Sequence, residues 1–362
     1  ERLYIQWAYY MRGVPDDAKA KEALDLLTTQ YPRDFAAKNN LGIYYNNKGQ
    51  FQEAAEQYRA AHEIAPTEPL PAQNLSGVLF NIGQYDEAMK FADIALSLRP
   101  APGVATSRWI RAHMQFDPRE AAFKEVAVKQ ATPESVLNSE MNLALWDGRM
   151  SDYLASYRKM IEFLRSAKRE EGIAGMETNH VINMAFFEGG PAIDSLKRAV
   201  AAPGAPRGFV RQAAIVLAVL GDASVLRREL PRFEREEAAN NLVFARAYAL
   251  SADGKTEQAV AALQGVATKD PRQPATYFSI GQVQERGGLT DDAVASYRKV
   301  IDAGPALAMN TNLPMARLAL GKLLASKGDT AAGKVQFGIL QKQWEHADAA
   351  FLPAQELKKV AK

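Results

Sequence analysis

Three prolines in the first hundred residues, Pro32, Pro66 and Pro100, stand 34 residues apart, and each closes a segment with helical apolar spacing: ALDLLTTQYP, YRAAHEIAP and ADIALSLRP. A proline cannot continue the i→i−4 hydrogen-bond ladder, so each marks the end of a helix. A fixed period of this length is the signature of a stacked repeat, in which every unit buries its apolar face against its neighbours. Counting a repeat from Phe35 places Leu41 and Gly42 at positions seven and eight, Tyr45 at eleven, Gly49 at fifteen, Ala54 at twenty, Tyr58 at twenty-four and Pro66 at thirty-two. The next, from Pro69, places Leu75, Ser76, Leu79, Gly83, Ala88, Ala92 and Pro100 correspondingly. The first is looser, with Trp7, Ala8, Ala20, Leu24 and Leu27 before Pro32.

Each position has a physical reason. Small residues at eight and twenty let two antiparallel helices approach closely. The glycine at fifteen accepts the left-handed backbone that ends the first helix. Aromatic and aliphatic residues at eleven, seventeen and twenty-four are expected to fill the space between successive hairpins. The C-terminal part resumes the register. Pro271 and Pro305 are again 34 apart, and repeats counted from Asn240, Pro274 and Pro314 supply Ala247, Gly254, Ala259, Gly281, Gly288, Tyr297, Gly321, Gly328 and Phe337. Ala308–Leu313 reads as an insertion forming a longer inter-repeat loop.

This pattern resembles the tetratricopeptide repeat (TPR). The resemblance implies an all-α TPR α-solenoid, a right-handed superhelix of about ten antiparallel helix hairpins with a core shared between neighbours. Residues 1–102 hold three N-terminal repeats and 240–348 three C-terminal ones, and 349–362 is expected to be a capping helix. The stretch 103–239 is degenerate but still reads as helix pairs: Ala105–Phe116 with Asp117–Gln130, Pro133–Trp146 with Met150–Lys168, Glu177–Phe187 with Ala192–Ala202, and Gly208–Leu220 with Ala223–Ala238. Gly148 and Gly221 sit where the first helix of a pair would end.

The ends carry a more specific likeness. The opening ERLYIQWAYY…GVPDDAKAKEALDLLTTQYPRDFAAKNNLGIYY and the closing LPMARLALGKLLASKGDTAAGKVQFGILQKQWEHADAAFLPAQELKKV resemble the TPR region of bacterial, acidobacterial-type transmembrane serine/threonine protein kinases, and of some winged-helix regulators. In the closing segment the likeness rests on the helix Leu318–Gly328, the turn Trp344–Asp348 and the helix Leu352–Lys359. It implies a sensory or scaffolding module, extracytoplasmic if the parent is a transmembrane kinase and cytoplasmic otherwise. No Gly-rich loop with a strand lysine, HRD-type catalytic loop or DFG is present. A chain opening on Glu1 in helical pattern is expected to be a fragment of a longer protein, with any kinase domain upstream.

Composition narrows the function classes. Forty-four basic against 42 acidic residues leave a net charge of +2, which gives no case for nucleic acid, whose phosphates require clustered Lys and Arg. The chain has no cysteine, so disulfides, thiolate nucleophiles and Cys-bound metal are excluded. Ala213–Leu220 is the longest clean apolar run, far short of the roughly 20 residues of a membrane helix. The four histidines, His62, His113, His180 and His346, form no metal-ligand motif. Gly254-Lys255-Thr256 lacks the rest of a phosphate loop and reads as a repeat turn. Asn74-Leu75-Ser76 matches the glycosylation triplet but lies within a helix. The Arg227–Glu237 cluster of mixed charge reads as a solvated helix face. No catalytic residue, metal site or cofactor is expected.

The candidate contacts are therefore with a protein or peptide. Asn40 and Asn74 fall at position six of consecutive repeats, on the expected concave face, where a carboxamide offers both donor and acceptor to a peptide backbone; the bland alternative is inter-repeat packing. A terminal-carboxylate clamp is absent, because positions five and nine of the first repeat are Ile5 and Tyr9. Among the N-terminal aromatics, Trp7 and Tyr45 are expected in the core and Tyr10 and Tyr44 at the surface, where tyrosine suits an interface. Two other classes compete: self-assembly into a homo-oligomer through edge hairpins, and an enzyme using carboxylates such as Glu140, Asp147 and Glu188, which no spacing joins as a unit.

Overall fold

A computed structural model describes residues 1–13, 16–238, 242–269, 273–303 and 312–361, and among these there is no strand. Helix α1 (Arg2–Ala8) runs through a π-helical turn at Tyr9–Gly13 and pairs with α2 (Asp17–Gln30). Then come α3 (Phe35–Asn47) with α4 (Phe51–Ile64), α5 (Pro69–Asn81) with α6 (Tyr85–Leu98), and α7 (Pro102–Met114) with α8 (Glu120–Gln130). Next are α9 (Pro133–Asp147) with α10 (Met150–Ser166), α11 (Glu170–Glu188) with α12 (Gly190–Ala201), and α13 (Arg207–Val219) with α14 (Ser224–Glu236). The last pairs are α15 (Val243–Ala252) with α16 (Thr256–Lys269), α17 (Pro274–Arg286) with α18 (Thr290–Asp302), and α19 (Asn312–Ser326) with α20 (Thr330–Gln343), followed by α21 (Leu352–Val360). The fold is the all-α hairpin repeat expected from the register. Among the expected middle pairs and the closing helix, boundaries move by three residues or fewer except at α11, which begins at Glu170, seven residues before the expected start at Glu177. Asn240, Pro271, Pro305 and residues 308–311 of the expected insertion lie outside the described residues, while Asn312 and Leu313 already open α19.

The turn within most of the hairpins is set by one residue of left-handed backbone. Gly49, Gly83, Gly148, Gly221, Gly254, Gly288 and Gly328 all have positive φ, between 71° and 101°. At the first, Gly49 N–H donates to Asn46 O at 3.0 Å and Gln50 N–H to Tyr45 O at 3.0 Å. The other six repeat this bond pair, which satisfies carbonyls that a helix C-terminus would otherwise leave open. Phe116 fills the same place after α7, with φ 53° and the same two bonds. It is a bulky side chain in a conformation that costs roughly 1–2 kcal/mol.

Glycines at position eight do a different job. A Cβ on Gly42 would stand 2.6 Å from the Tyr58 ring, one on Gly281 2.7 Å from Tyr297, and one on Gly321 2.4 Å from Phe337. Each position-twenty-four aromatic thus lies flat on the glycine of its own hairpin, rather than only filling the gap between successive hairpins. Where position eight carries a Cβ, as at Ser76 and Ala247, position twenty-four is the smaller Ala92 or Leu263. The two positions trade volume, as close packing requires.

The chain divides into two compact units, Glu1–Val136 and Leu137–Lys362. In the second, the segment after α20 reaches back to the first hairpin. Gln343 Nε2 and Trp344 Nε1 both donate to Trp146 O, at 2.6 and 3.0 Å. Asp348 N–H donates to Gly148 O at 3.0 Å, and the Asp348 carboxylate accepts Ser151 N–H at 2.5 Å. Open carbonyls at the end of α9 and an open N–H at the start of α10 are thereby satisfied from almost 200 residues away. Trp344, Phe351 and Leu357 join Met141, Leu145, Tyr153 and Phe187 in one buried cluster, and the Phe187 and Phe351 rings stack at 5.4 Å. Helix α21 lies against α19 and α20 and also against α11, so the second unit closes on itself.

Two outcomes test this packing. Gly42→Ala should destabilise the protein by about 1–3 kcal/mol through overpacking, and adding Tyr58→Leu should recover part of it in thermal or denaturant unfolding. Gly148 and Gly254 have similar φ values, 71° and 75°, but a Cβ on Gly148 would meet Phe351 at 2.5 Å and one on Gly254 would meet nothing within 4 Å. Gly148→Ala should therefore cost about 1–3 kcal/mol more than Gly254→Ala; equal costs would show that the closing segment does not bear on this turn.

Candidate partner-binding site

The first unit separates the four residues expected at the surface. Asn74 Nδ2 donates to Asn39 Oδ1 at 2.9 Å, and Asn39 is buried, so Asn74 is engaged in inter-repeat packing. Asn40 is half-buried and its side chain makes no hydrogen bond among the described residues. Tyr10 is half-buried, edge-on to Tyr9 with Lys19 Nζ 5.3 Å from its ring. The expected surface position of Tyr44 is corrected: it is buried in the cluster with Leu24, Leu27, Ala37 and Leu41, and Tyr45 beside it is the more exposed ring. Position ten of that helix turns inward against α2, whereas position eleven is only partly covered.

The second unit holds a concave surface that the register in the degenerate stretch did not reveal. Three cavities of about 170, 530 and 380 Å³ lie side by side. The first two share Ile182, Asn183 and Gln212, and the second and third share Phe186, Val219, Phe278 and Gln282, so they form one trough. Each first helix of a hairpin contributes a single face. From α9 come Asn138, Met141, Asn142 and Leu145, and from α11 Asn179, Ile182, Asn183 and Phe186, both with i, i+3, i+4, i+7 spacing. Counted back from the turn glycine, positions five and nine of successive hairpins are Asn138/Asn142, Asn179/Asn183, Arg211/Ile215, Phe244/Tyr248, Phe278/Gln282 and Leu318/Lys322. The signal that could have found them is the pair of carboxamides four apart on two consecutive first helices.

The trough changes character along its length. At the α9–α11 end it is lined by amides, of which Asn138, Asn142, Asn179 and Gln212 are exposed; Asn183 Nδ2 donates to Tyr153 OH at 3.5 Å. The middle is apolar, with Phe186, Phe244, Ile215, Val216 and Phe278. Tyr248 donates to Gln282 Oε1 at 2.6 Å, and burial pushes its hydroxyl pKa up to about 12. At the far end Tyr297 donates to Glu285 Oε2 at 2.7 Å, with burial and then the Glu285 charge holding that phenol well above its ordinary range. The cations of the trough are engaged: Arg211 with Glu237, Lys322 with Glu356, and Arg286 Nη2 with Val219 O at 3.0 Å.

The remaining reactive-looking groups have structural settings. Ser156 Oγ donates to Glu140 Oε2 at 3.2 Å and Arg149 pairs with Asp147 at 2.9 Å. Burial, and next the charge of Asp348, raises the Glu188 carboxyl pKa. His180 stacks on Tyr157 with ring centres 4.2 Å apart. Arg227 and Arg232 pair with Asp253 and Glu236. Among the described residues no group of His, Asp or Glu could hold a metal ion, and no helix is long and apolar enough to cross a membrane.

The tetratricopeptide repeat family model matches residues 16–69 and 244–308. The fold is the TPR fold. Both matched stretches lie in the well-registered ends, and the trough's amide end falls between them. Among solved structures, the chain is similar to a tetratricopeptide repeat protein from Parabacteroides merdae, at 11% identity over 100% of both chains with a TM-score of 0.33. It is also similar to the TPR domain of P58(IPK), at 16% identity over 90% of this chain and 97% of that one with a TM-score of 0.27. A third is the APC/C hetero-tetramer Cut9–Hcn1, at 13% identity over 98% and 77% with a TM-score of 0.44. No curated protein matches the sequence.

The asparagine pair of the first unit is testable on its own. Asn74→Ala leaves the buried Asn39 amide without its partner and should cost about 1–3 kcal/mol, whereas Asn40→Ala should change unfolding by less than about 0.5 kcal/mol.

Proposed function

We propose that this chain is a non-catalytic scaffold that binds a protein or peptide, and that the partner lies in the trough of the second unit. The observation that carries this reading is that six successive hairpins turn their position-five and position-nine side chains to one continuous concavity. Stacked repeats supply extended binding surface of this kind because each hairpin is stabilised by its neighbours. In the first unit, Asn40 and Tyr10 are offered as further contacts. The likeness of the chain's ends to kinase-associated TPR regions supports a place in a larger bacterial signalling protein, such as a serine/threonine kinase, as its sensory or partner-binding part.

Immobilised full-length chain should recover a defined protein from extracts of the source cells. Asn142→Arg/Gln212→Arg, two exposed positions inside the trough, should reduce that recovery at least tenfold while leaving the far-ultraviolet circular dichroism and melting temperature unchanged. Undiminished recovery would move the site out of the trough, and no recovery above an unrelated repeat protein would sink the scaffold reading. The kinase assignment is tested in the gene: an HRD-type catalytic loop and an apolar span of about 20 residues encoded before Glu1 would support it, and a different domain there would overturn it.

A further inference from the structure

We infer that the trough of the second unit takes an uncharged internal stretch of extended polypeptide, held through its main chain at the amide end and by one large apolar side chain in the middle. This rests on the partner-binding reading above and specifies the ligand's chemistry. Three observations on separate parts of the trough converge on it.

The amide end comes first. The side chains of Asn138, Asn142, Asn179 and Gln212 are exposed and make no hydrogen bond within the chain among the described residues, yet all four line one cavity of about 170 Å³ together with Asn183. A carboxamide carries one acceptor oxygen and two donor hydrogens, the same complement of groups that a peptide main chain presents. Scattered surface asparagines would each face bulk water separately. Here helices α9, α11 and α13 aim theirs into a single concavity, where several main-chain groups of one segment can be met together.

Charge is the second. A terminal carboxylate or a phosphate requires a cation free to receive it, and the trough's three basic side chains are already bound to Glu237, Glu356 and the Val219 carbonyl. A terminal ammonium or a lysine requires a free carboxylate. Glu237 and Glu356 are the partners of Arg211 and Lys322, and Glu285 accepts the Tyr297 hydroxyl. Arg211 and Lys322 are each paired with a carboxylate, and Arg286 and Glu285 line the same cavity with opposite charges, so the trough offers a charged end group no net attraction. The third observation is the middle cavity of about 530 Å³, walled by Phe186, Phe244, Phe278 and the aliphatic Ile215 and Val216. Its size is that of a pocket for a whole small ligand, so a large side chain enters it together with the main chain that carries it. Its walls favour an aromatic or long aliphatic side chain.

The test uses the full chain and a positional-scanning set of fluorescent peptides, acetylated at the N-terminus and amidated at the C-terminus, read by anisotropy. Peptides with Phe, Leu or Met at the centre should bind at least about tenfold tighter than those with Asp or Lys there. Their affinity should change by less than about threefold between roughly 50 and 500 mM salt, since no ion pair forms. Asn142→Ala/Asn179→Ala, both exposed and therefore neutral to folding, should weaken them about tenfold, the loss expected for two hydrogen bonds. N-methylation of the peptide backbone should do the same. The inference is overturned if binding demands a free carboxylate or a phosphoryl group and falls steeply with salt, if labelled oligosaccharides bind in place of peptides, or if no capped peptide in the set binds. In each of those cases a partner recovered from extracts and lost in Asn142→Arg/Gln212→Arg would still leave the scaffold reading standing.

Discussion

The carbonyl of Trp146 accepts two hydrogen bonds at once, from the Gln343 amide and the Trp344 indole. This carbonyl belongs to the last turn of α9 and has no partner within its own helix. The neighbouring contacts of Asp348 with Gly148 O and Ser151 N–H complete the same clamp on the following turn. Because these bonds join the last residues of the second unit to its first hairpin, the hairpins between them are held in a closed arrangement. The trough exists on the inner side of that closure. Its amide end is built on α9 and α11 and its far end on α17, α19 and α21, and the clamp joins the elements that carry the two ends.

The glycines divide into two kinds with different physics. Those at position fifteen are needed for their backbone: φ between 71° and 101° lets the chain reverse while two amides satisfy helix-end carbonyls. Those at position eight are needed for the absence of a Cβ, because Tyr58, Tyr297 and Phe337 occupy the space it would take. Gly148 combines both demands, with positive φ and the Phe351 ring 2.5 Å from where its Cβ would stand. It therefore couples the hairpin turn to the closing segment.

Packing and the lining of the trough draw on the same first helices. Alanine, leucine and aromatic residues on the faces between helices form the shared cores. Positions five and nine of each first helix line the trough, and at Tyr248, Phe278 and Leu318 the same side chain also belongs to a core. Along the trough they run from asparagines through phenylalanines to Leu318 and Lys322. Amide, apolar and charge-paired sectors thus follow one another along a single repeat architecture.

How much of this was legible before folding depends on the range of the interaction responsible. Hairpin turns and close helix pairs are local, set by residues within one 34-residue period, so Gly49, Gly254, Gly42 and Tyr58 could be read directly from spacing. Gly148 and Gly221 marked turns even in the degenerate stretch, since glycine takes a positive φ without the steric cost of a Cβ. Phe116 escaped because a non-glycine residue carries that conformation there. Asn74 looked like a groove residue because a surface amide and one bonded across repeats have the same sequence; only the approach of Asn39 decides between them. Tyr44 and Tyr45 differ by a single step of about 100° around the helix, which spacing alone assigned the wrong way round. The trough and the clamp over Trp146 belong to tertiary structure entirely. They join residues almost 200 positions apart, and no periodicity within one repeat records which distant hairpin will meet which.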